Sequence, residues 1–249
     1  MVAAVVILLP LVLPNSYFVR VLDLVGVYIL LSTGSNILTG FAGQLSMGQA
    51  AFYGVGAYTT GLIGMYLGWG FWQTLPCAIL VACIFGLVLA IPALRLKGGY
   101  LTLLTIGFGE IFRLVMNNWV SFTRGPSGIT GIRTVRIFSF ELATKTHWYY
   151  FIFAIAALGL VYQRILMQSR VGRAFIAIRE DDQAAELTGI DITRYKIMAF
   201  ITSAVYSAIA GVLYAHLTGY ISPDSFTANE SNFILWGAII GGLGTYLGP

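Results

Sequence analysis

Apolar runs of about twenty residues, repeated along the chain with few charges inside them, leave one class of fold open to this sequence. A helix crossing the hydrocarbon layer needs about 20 predominantly apolar residues. Of 249 residues, 58% are apolar and 10% charged, whereas a soluble domain carries about 25% charged residues. Too little polar surface remains to coat a water-facing globule, which excludes a soluble enzyme, a nucleic-acid binder and a disulfide scaffold. The expected fold is all-α: a polytopic integral membrane protein, with residues 1–249 forming one transmembrane domain in contact with membrane lipid.

Polar breaks divide the chain into about eight transmembrane segments, at about 2–13, 21–39, 49–67, 73–94, 100–120, 148–166, 196–219 and 232–249. The first is short and runs into Pro14, as a clipped span does. The last reaches Pro249 without a basic anchor, so the natural chain is expected to continue. Arg95, Lys97, Arg164, Arg170, Arg173, Arg179, Arg194 and Lys196 fall on one side by alternation, against Arg20, Arg124, Arg133, Arg136 and Lys145 on the other. That bias places the N-terminus and the loop at about 167–195 in the cytoplasm and the loop at about 121–147 outside. Aromatic clusters at Trp69, Phe71 and Trp72 and at Trp148, Tyr149 and Tyr150 then mark the outer interface.

From Gly40 to Tyr58 the chain holds five glycines in nineteen residues, with Gln44, Ser46 and Gln49 among them. Gly costs a helix interior about 1 kcal/mol per position, so a broken or re-entrant helix facing the bundle interior is expected. Gly43, Gln44, Ser46, Gly48 and Gln49 are its candidate pathway residues. A second glycine-dense run begins at Gly237 and hints at an internal repeat. The competing reading is close helix packing, through pairs such as Gly64 with Gly68, Gly237 with Gly241 and Gly244 with Gly248.

The segment from Tyr100 to Val120 carries Glu110 and Arg113, three apart, on one face with Thr102, Thr105, Gly109 and Asn117. Charge at mid-bilayer depth should turn inward and pair. Glu110, Arg113 and Asn117 either line a pathway or hold helices in register. The loop from Gln163 to Lys196 holds 11 of the chain's 24 charges. Val171, Ala174, Phe175, Ile178 and Ala185 form a narrow apolar stripe there, expected to seek a partner. Asp182 is the expected cap of a second short helix, Gly189 its end, and Asp191 the cap of the next span.

Four blocks, TGSNILTGFAGQLSMGQAAFYGVGAY, LRLKGGYLTLLTIGFGEIFRLVMNNW, GRAFIAIREDDQAAELTGID and ISPDSFTANESNFILWGAIIGGLG, resemble in order the permease family of branched-chain amino-acid ABC importers, in its M-type subunit. The resemblance implies a permease domain of a bacterial plasma (inner) membrane, importing branched-chain or other hydrophobic amino acids. It also implies partners: a second, H-type permease, two ABC ATPase subunits and an extracytoplasmic substrate-binding protein. Gly172, Arg173, Ala177, Arg179, Glu180, Asp181, Ala185 and Gly189 would then form the surface that docks on the ATPase. Arg124, in FTRGPSGITGI, stands where the family usually has glycine. The chain has no GxxxxGK[ST] loop, so the expectation is no cofactor of its own, ATP being used by partner subunits, and no enzyme activity. His147, His216, Cys77 and Cys83 stand apart from any ligand cluster, and no metal site is expected. The alternative function is a stand-alone secondary transporter or channel with Glu110 as coupling acid.

Overall fold

The computed structural model describes residues 16–96, 98–137, 140–141 and 145–245. The expected segment 2–13, Lys97 of the charge count and Gly248 of the glycine pairs lie outside them. The chain is an all-α polytopic membrane protein. Its elements are α1 (Ser16–Ser35), continued by a π-helical turn (Asn36–Phe41), then α2 (Gln49–Leu67), α3 (Phe71–Ala93), α4 (Gly99–Asn118) and the single turn α5 (Val120–Thr123). They are followed by α6 (Lys145–Gln168), α7 (Arg170–Glu180), α8 (Asp182–Leu187), α9 (Ile192–Thr218) and α10 (Ala228–Gly242). Two short ladders lie in the connections. β1 (Ile129–Thr130) pairs antiparallel with β4 (Tyr220–Ile221), and β2 (Arg136–Ile137) with β3 (Phe140–Glu141).

Among the described residues five helices are long and apolar enough to cross a membrane, at 17–41, 71–93, 99–118, 146–168 and 192–218. The expected segments at 49–67 and 232–249 differ for separate reasons. α2 is long enough at 19 residues, but Gln49, Thr59, Thr60 and its glycines dilute its apolarity. It is sheathed by other helices and need not match lipid. α10 has 15 residues, about 22 Å at 1.5 Å per residue, short of a hydrocarbon layer of about 30 Å. α9, by contrast, has 27 residues, about 40 Å at 1.5 Å per residue and longer than that layer.

α2 and α9 form the centre. A Cβ on Gly56 would fall against the Ala208 backbone, 2.6 Å from its Cα, and one on Gly211 would lie 2.8 Å from Ala57 N. These two helices therefore touch backbone to backbone, with Ala204, Ala208 and Ala215 fully buried beside the contact. Of the expected glycine pairs, Gly64 has only Trp69 O within reach, at 3.8 Å, and Gly68 ends α2 in a left-handed cap at φ +67°. The pairing partner of the central helix lies some 150 residues away in sequence, beyond the reach of an i, i+4 pattern. The aromatic belt divides likewise. Trp69, Trp72 and Tyr150 are exposed, whereas Phe71, Trp148 and Tyr149 are buried. Phe71 sits edge-on to Phe151 and His216 at 5.3 and 5.5 Å, and His216 Nδ1 lies 2.7 Å from the Arg133 carbonyl oxygen.

Candidate functional site

The charged element begins with a cap: Ser169 Oγ accepts from Val171 N and Gly172 N at the start of α7. The next cap falls one residue before the expected one. Asp181 Oδ1 accepts from Gln183 N at 2.8 Å and Ala184 N at 3.2 Å. Asp182 instead reaches forward to Lys196 Nζ at 2.8 Å. Both residues are aspartates, so the sequence alone could not rank them; extended backbone at Asp181 decides it. Gly189 takes φ +85° after α8, and Asp191 Oδ1 accepts from Arg194 N to start α9.

The apolar stripe is covered by the chain itself. Gly172, Ala174, Phe175, Ile178 and Ala185 are buried, with Phe175 edge-on to Tyr195 at 6.4 Å and Gly172 pressed on the Met167 backbone. Ala177 is half-buried, while Arg173, Arg179, Glu180, Asp181 and Gly189 are exposed. At the end of α8 Leu187 is 90% exposed. That leucine, four residues before Asp191, is outside the helical period of the stripe and was not singled out by sequence.

The expected break exists but is confined to residues 42–48; from Gln49 the chain is a continuous helix through Gly54, Gly56, Gly61 and Gly64. Its loose backbone groups are satisfied by the polar face of α4. Met47 N donates to Thr105 Oγ1 at 2.9 Å, and Thr102 Oγ1 donates to Leu45 O at 3.2 Å. Ser46 Oγ accepts from Gly48 N, and Gln44 is buried with its carbonyl accepting from Thr39 Oγ1. Gln49 is locked among helices. Its Nε2 donates to Ser203 Oγ at 2.8 Å, its Oε1 accepts from Ser207 Oγ at 2.6 Å, and Ser203 Oγ donates to Gly34 O at 2.7 Å. This network ties α1, α2 and α9 and is fully buried. Gln49→Leu should strand the Ser207 hydroxyl and take a donor from Ser203 Oγ, which keeps its bond to Gly34 O, at a cost of about 1–2 kcal/mol. The expected result is a lowered melting temperature in detergent; an unchanged one would mean that Ser203 and Ser207 satisfy each other.

Farther along α4, Arg113 Nη2 donates to Glu110 Oε1 at 2.5 Å, and its Nε contacts both carboxylate oxygens at 3.1 Å. Arg113 Nη1 also donates to Asp224 Oδ1 at 3.4 Å. The side chains are 24% (Arg113), 42% (Glu110) and 78% (Asp224) exposed, and Asn117 is half-exposed. An arginine and two carboxylates thus sit on an open face that the chain does not cover. Asp224 has no period or motif to mark it. It arrives because β4, paired with β1, turns residues 223–225 back toward α4.

The geometry thus separates two features, a folded charged tip and an α4 face carrying charge within a span. The family described as branched-chain amino acid transport system / permease component matches residues 17–249. The chain is 38% identical over 242 residues to the high-affinity branched-chain amino acid transport system permease protein LivM of Salmonella typhimurium, covering 88% of this chain and 57% of that protein. It is 37% identical over 250 residues to LivM of Escherichia coli K12, covering 91% and 59%. The high-affinity branched-chain amino acid transport system permease protein LivH of Escherichia coli K12 is 28% identical over 243 residues, covering 89% of this chain and 76% of that protein. The chain therefore spans under two thirds of the length of these two LivM proteins, and no solved structure matches it. Matched over all but its first sixteen residues, the chain belongs to the branched-chain amino acid permease family.

Proposed function

We propose that this chain is one permease subunit of an ATP-driven importer for branched-chain or other hydrophobic amino acids in a bacterial inner membrane. It works beside a second, H-type permease, two ABC ATPase subunits and an extracytoplasmic substrate-binding protein. The carrying observation is the charged element of α7 and α8, where Leu187 is 90% exposed and Arg173, Glu180, Asp181 and Glu186 are exposed as well. An exposed leucine on an element that carries both signs of charge has the composition of a docking patch with a polar rim. The Lys and Arg bias supports a cytoplasmic side for that tip and the N-terminus, where the ATPases would supply the ATP chemistry.

The α4 face supports the pathway. Lipid is a poor neighbour for the partly exposed Glu110, Arg113 and Asn117, so this face is read as turned to water and to the second permease. Gly43, Gln44, Ser46 and Gly48 form the inner end of the same wall, where Thr102 and Thr105 hold the backbone of the intervening Leu45 and Met47. For the secondary-transporter alternative, Glu110 would have to give up three contacts to Arg113 in every cycle, and no observation favours it.

The test is purification of the tagged full-length protein from its host in mild detergent. A second permease and ATPase subunits should accompany it in stoichiometric amounts, and liposomes containing the complex should accumulate leucine-like amino acids only with ATP inside. A chain that purifies alone and moves solute without ATP would overturn the reading.

A further inference from the structure

Both glycine-dense runs meet at one point, and Arg179 of α7 stands in the middle of it. Arg179 Nη1 donates to Gly40 O at 2.8 Å, at the end of the π-helical turn where helix carbonyls lose their partners. Asn36 clasps the chain after α10: its Nδ2 donates to Thr245 O at 2.9 Å, and its Oδ1 accepts from Gly244 N at 2.7 Å. A Cβ on Gly43 would lie 2.7 Å from Arg179 Cγ, and one on Gly244 2.8 Å from Arg179 Nη1. A Cβ on Gly40 would fall on the Asn36 amide. Gly40, Gly43 and, more than 200 residues on, Gly244 thus all leave room for the Arg179 and Asn36 side chains.

We propose that Arg179 is a positioning residue that passes movement of α7 and α8 to the inner ends of α1 and α10, holding the Gly40 carbonyl in one transport state and releasing it in the other. This deepens the importer reading above and rests on it. The guanidinium suits the task because it presents several donors in a rigid fork. One reaches Gly40 O, while Nε and Nη2 hold Glu180 Oε1 at 3.2 and 2.6 Å, so the arm is anchored to α7. It also has somewhere to go. A cavity of about 300 Å³ opens beside it, lined by Gly43, Gln44, Leu101, Arg179, Asp182 and Lys196. π-Helical turns, moreover, occur often at functional sites, and this one is where α1 gives way to the irregular pathway segment.

The experiment uses the whole complex in liposomes and compares solute moved per ATP hydrolysed in wild type, Arg179→Met, Arg179→Lys and Asn36→Ala. Arg179→Met keeps most of the stem that packs on Gly43 and loses the donors. It should co-purify with the ATPases and let hydrolysis continue, but move about tenfold less solute per ATP or worse. Arg179→Lys should recover part of the loss, and Asn36→Ala should resemble Arg179→Met. Solute per ATP within about twofold of wild type in Arg179→Met would overturn the proposal. So would loss of the ATPases from that preparation, which would make Arg179 a docking group. Should Arg179→Met not accumulate, hydrogen exchange on the wild-type complex decides: a non-hydrolysable ATP analogue should speed exchange in peptides covering Gly244 and Thr245, and no change would refute the pin. Wild-type complex without ATP-driven uptake would overturn the importer reading and the pin with it.

Discussion

Reversing the two acidic side chains at the junction of α7 and α8, Glu180→Lys with Asp181→Lys, should abolish ATP-driven uptake while the protein still enters the membrane in normal amounts. The exposed tip would change from mixed to basic, and like charges facing a partner surface cost several kcal/mol. Residual uptake at or below about one-hundredth of wild type corresponds to about 2.8 kcal/mol. The two residues act differently and can be separated. Asp181 caps α8 through two backbone amides, so its loss also costs about 1 kcal/mol of local helix; Asp181→Asn keeps a capping oxygen and should retain most activity. Glu180 anchors the Arg179 guanidinium, so Glu180→Gln tests the anchor without reversing the surface. Uptake, ATP hydrolysis and membrane content are measured on one preparation. Full uptake by the double reversal would end the docking assignment of this tip.

Much of this architecture was legible because lipid imposes a length and an apolarity that can be counted. The spans at 73–94, 100–120 and 148–166 fall within about three residues of α3, α4 and α6, and the one-sided polarity of α4 is the side that holds the 42–48 backbone. Gly189 and Asp191 were readable because a cap needs one residue type at one place. What escaped were facts of the third dimension. No local rule makes Gly56 meet Ala208, sends Asn36 to Gly244, or sets Asp224 against Arg113, since each joins residues more than 100 apart. The period of the α7 stripe shows that a stripe exists, but not that its own chain covers it. No local pattern sets Gln49 apart from its neighbours in the break, yet its amide belongs to a closed network with Ser203 and Ser207. Polar residues in an apolar span announce a partner without saying whether it is another helix or a solute.

The glycines offer the sharpest test of that three-dimensional reading, because a Cβ at each meets a different kind of neighbour. At Gly56 it would lie against the Ala208 backbone, which no side-chain rotation can relieve. Gly56→Ala should therefore force α2 and α9 apart, at a cost of about 3 kcal/mol or more, against a gain of at most about 1 kcal/mol in helix propensity. The expected result is little or no folded protein extractable from the membrane. At Gly54 the neighbours are ring atoms, Phe112 Cε1 at 2.5 Å and Phe226 Cγ at 3.1 Å, and rings can tilt. Gly54→Ala should fold with a lowered melting temperature, whereas Gly54→Leu should not transport. At Gly48 the Thr105 Cβ is 3.3 Å away, so Gly48→Ala should stay within about 1 kcal/mol of wild type. Gly48→Leu, by contrast, should dislodge Thr105 from Met47 N and stop transport. The order Gly56, Gly54, Gly48 under alanine substitution, read as melting temperature in detergent, follows from what each new methyl would touch. An unaltered melting temperature for Gly56→Ala would mean that the central helices do not meet backbone to backbone, and that glycine there serves flexibility rather than contact.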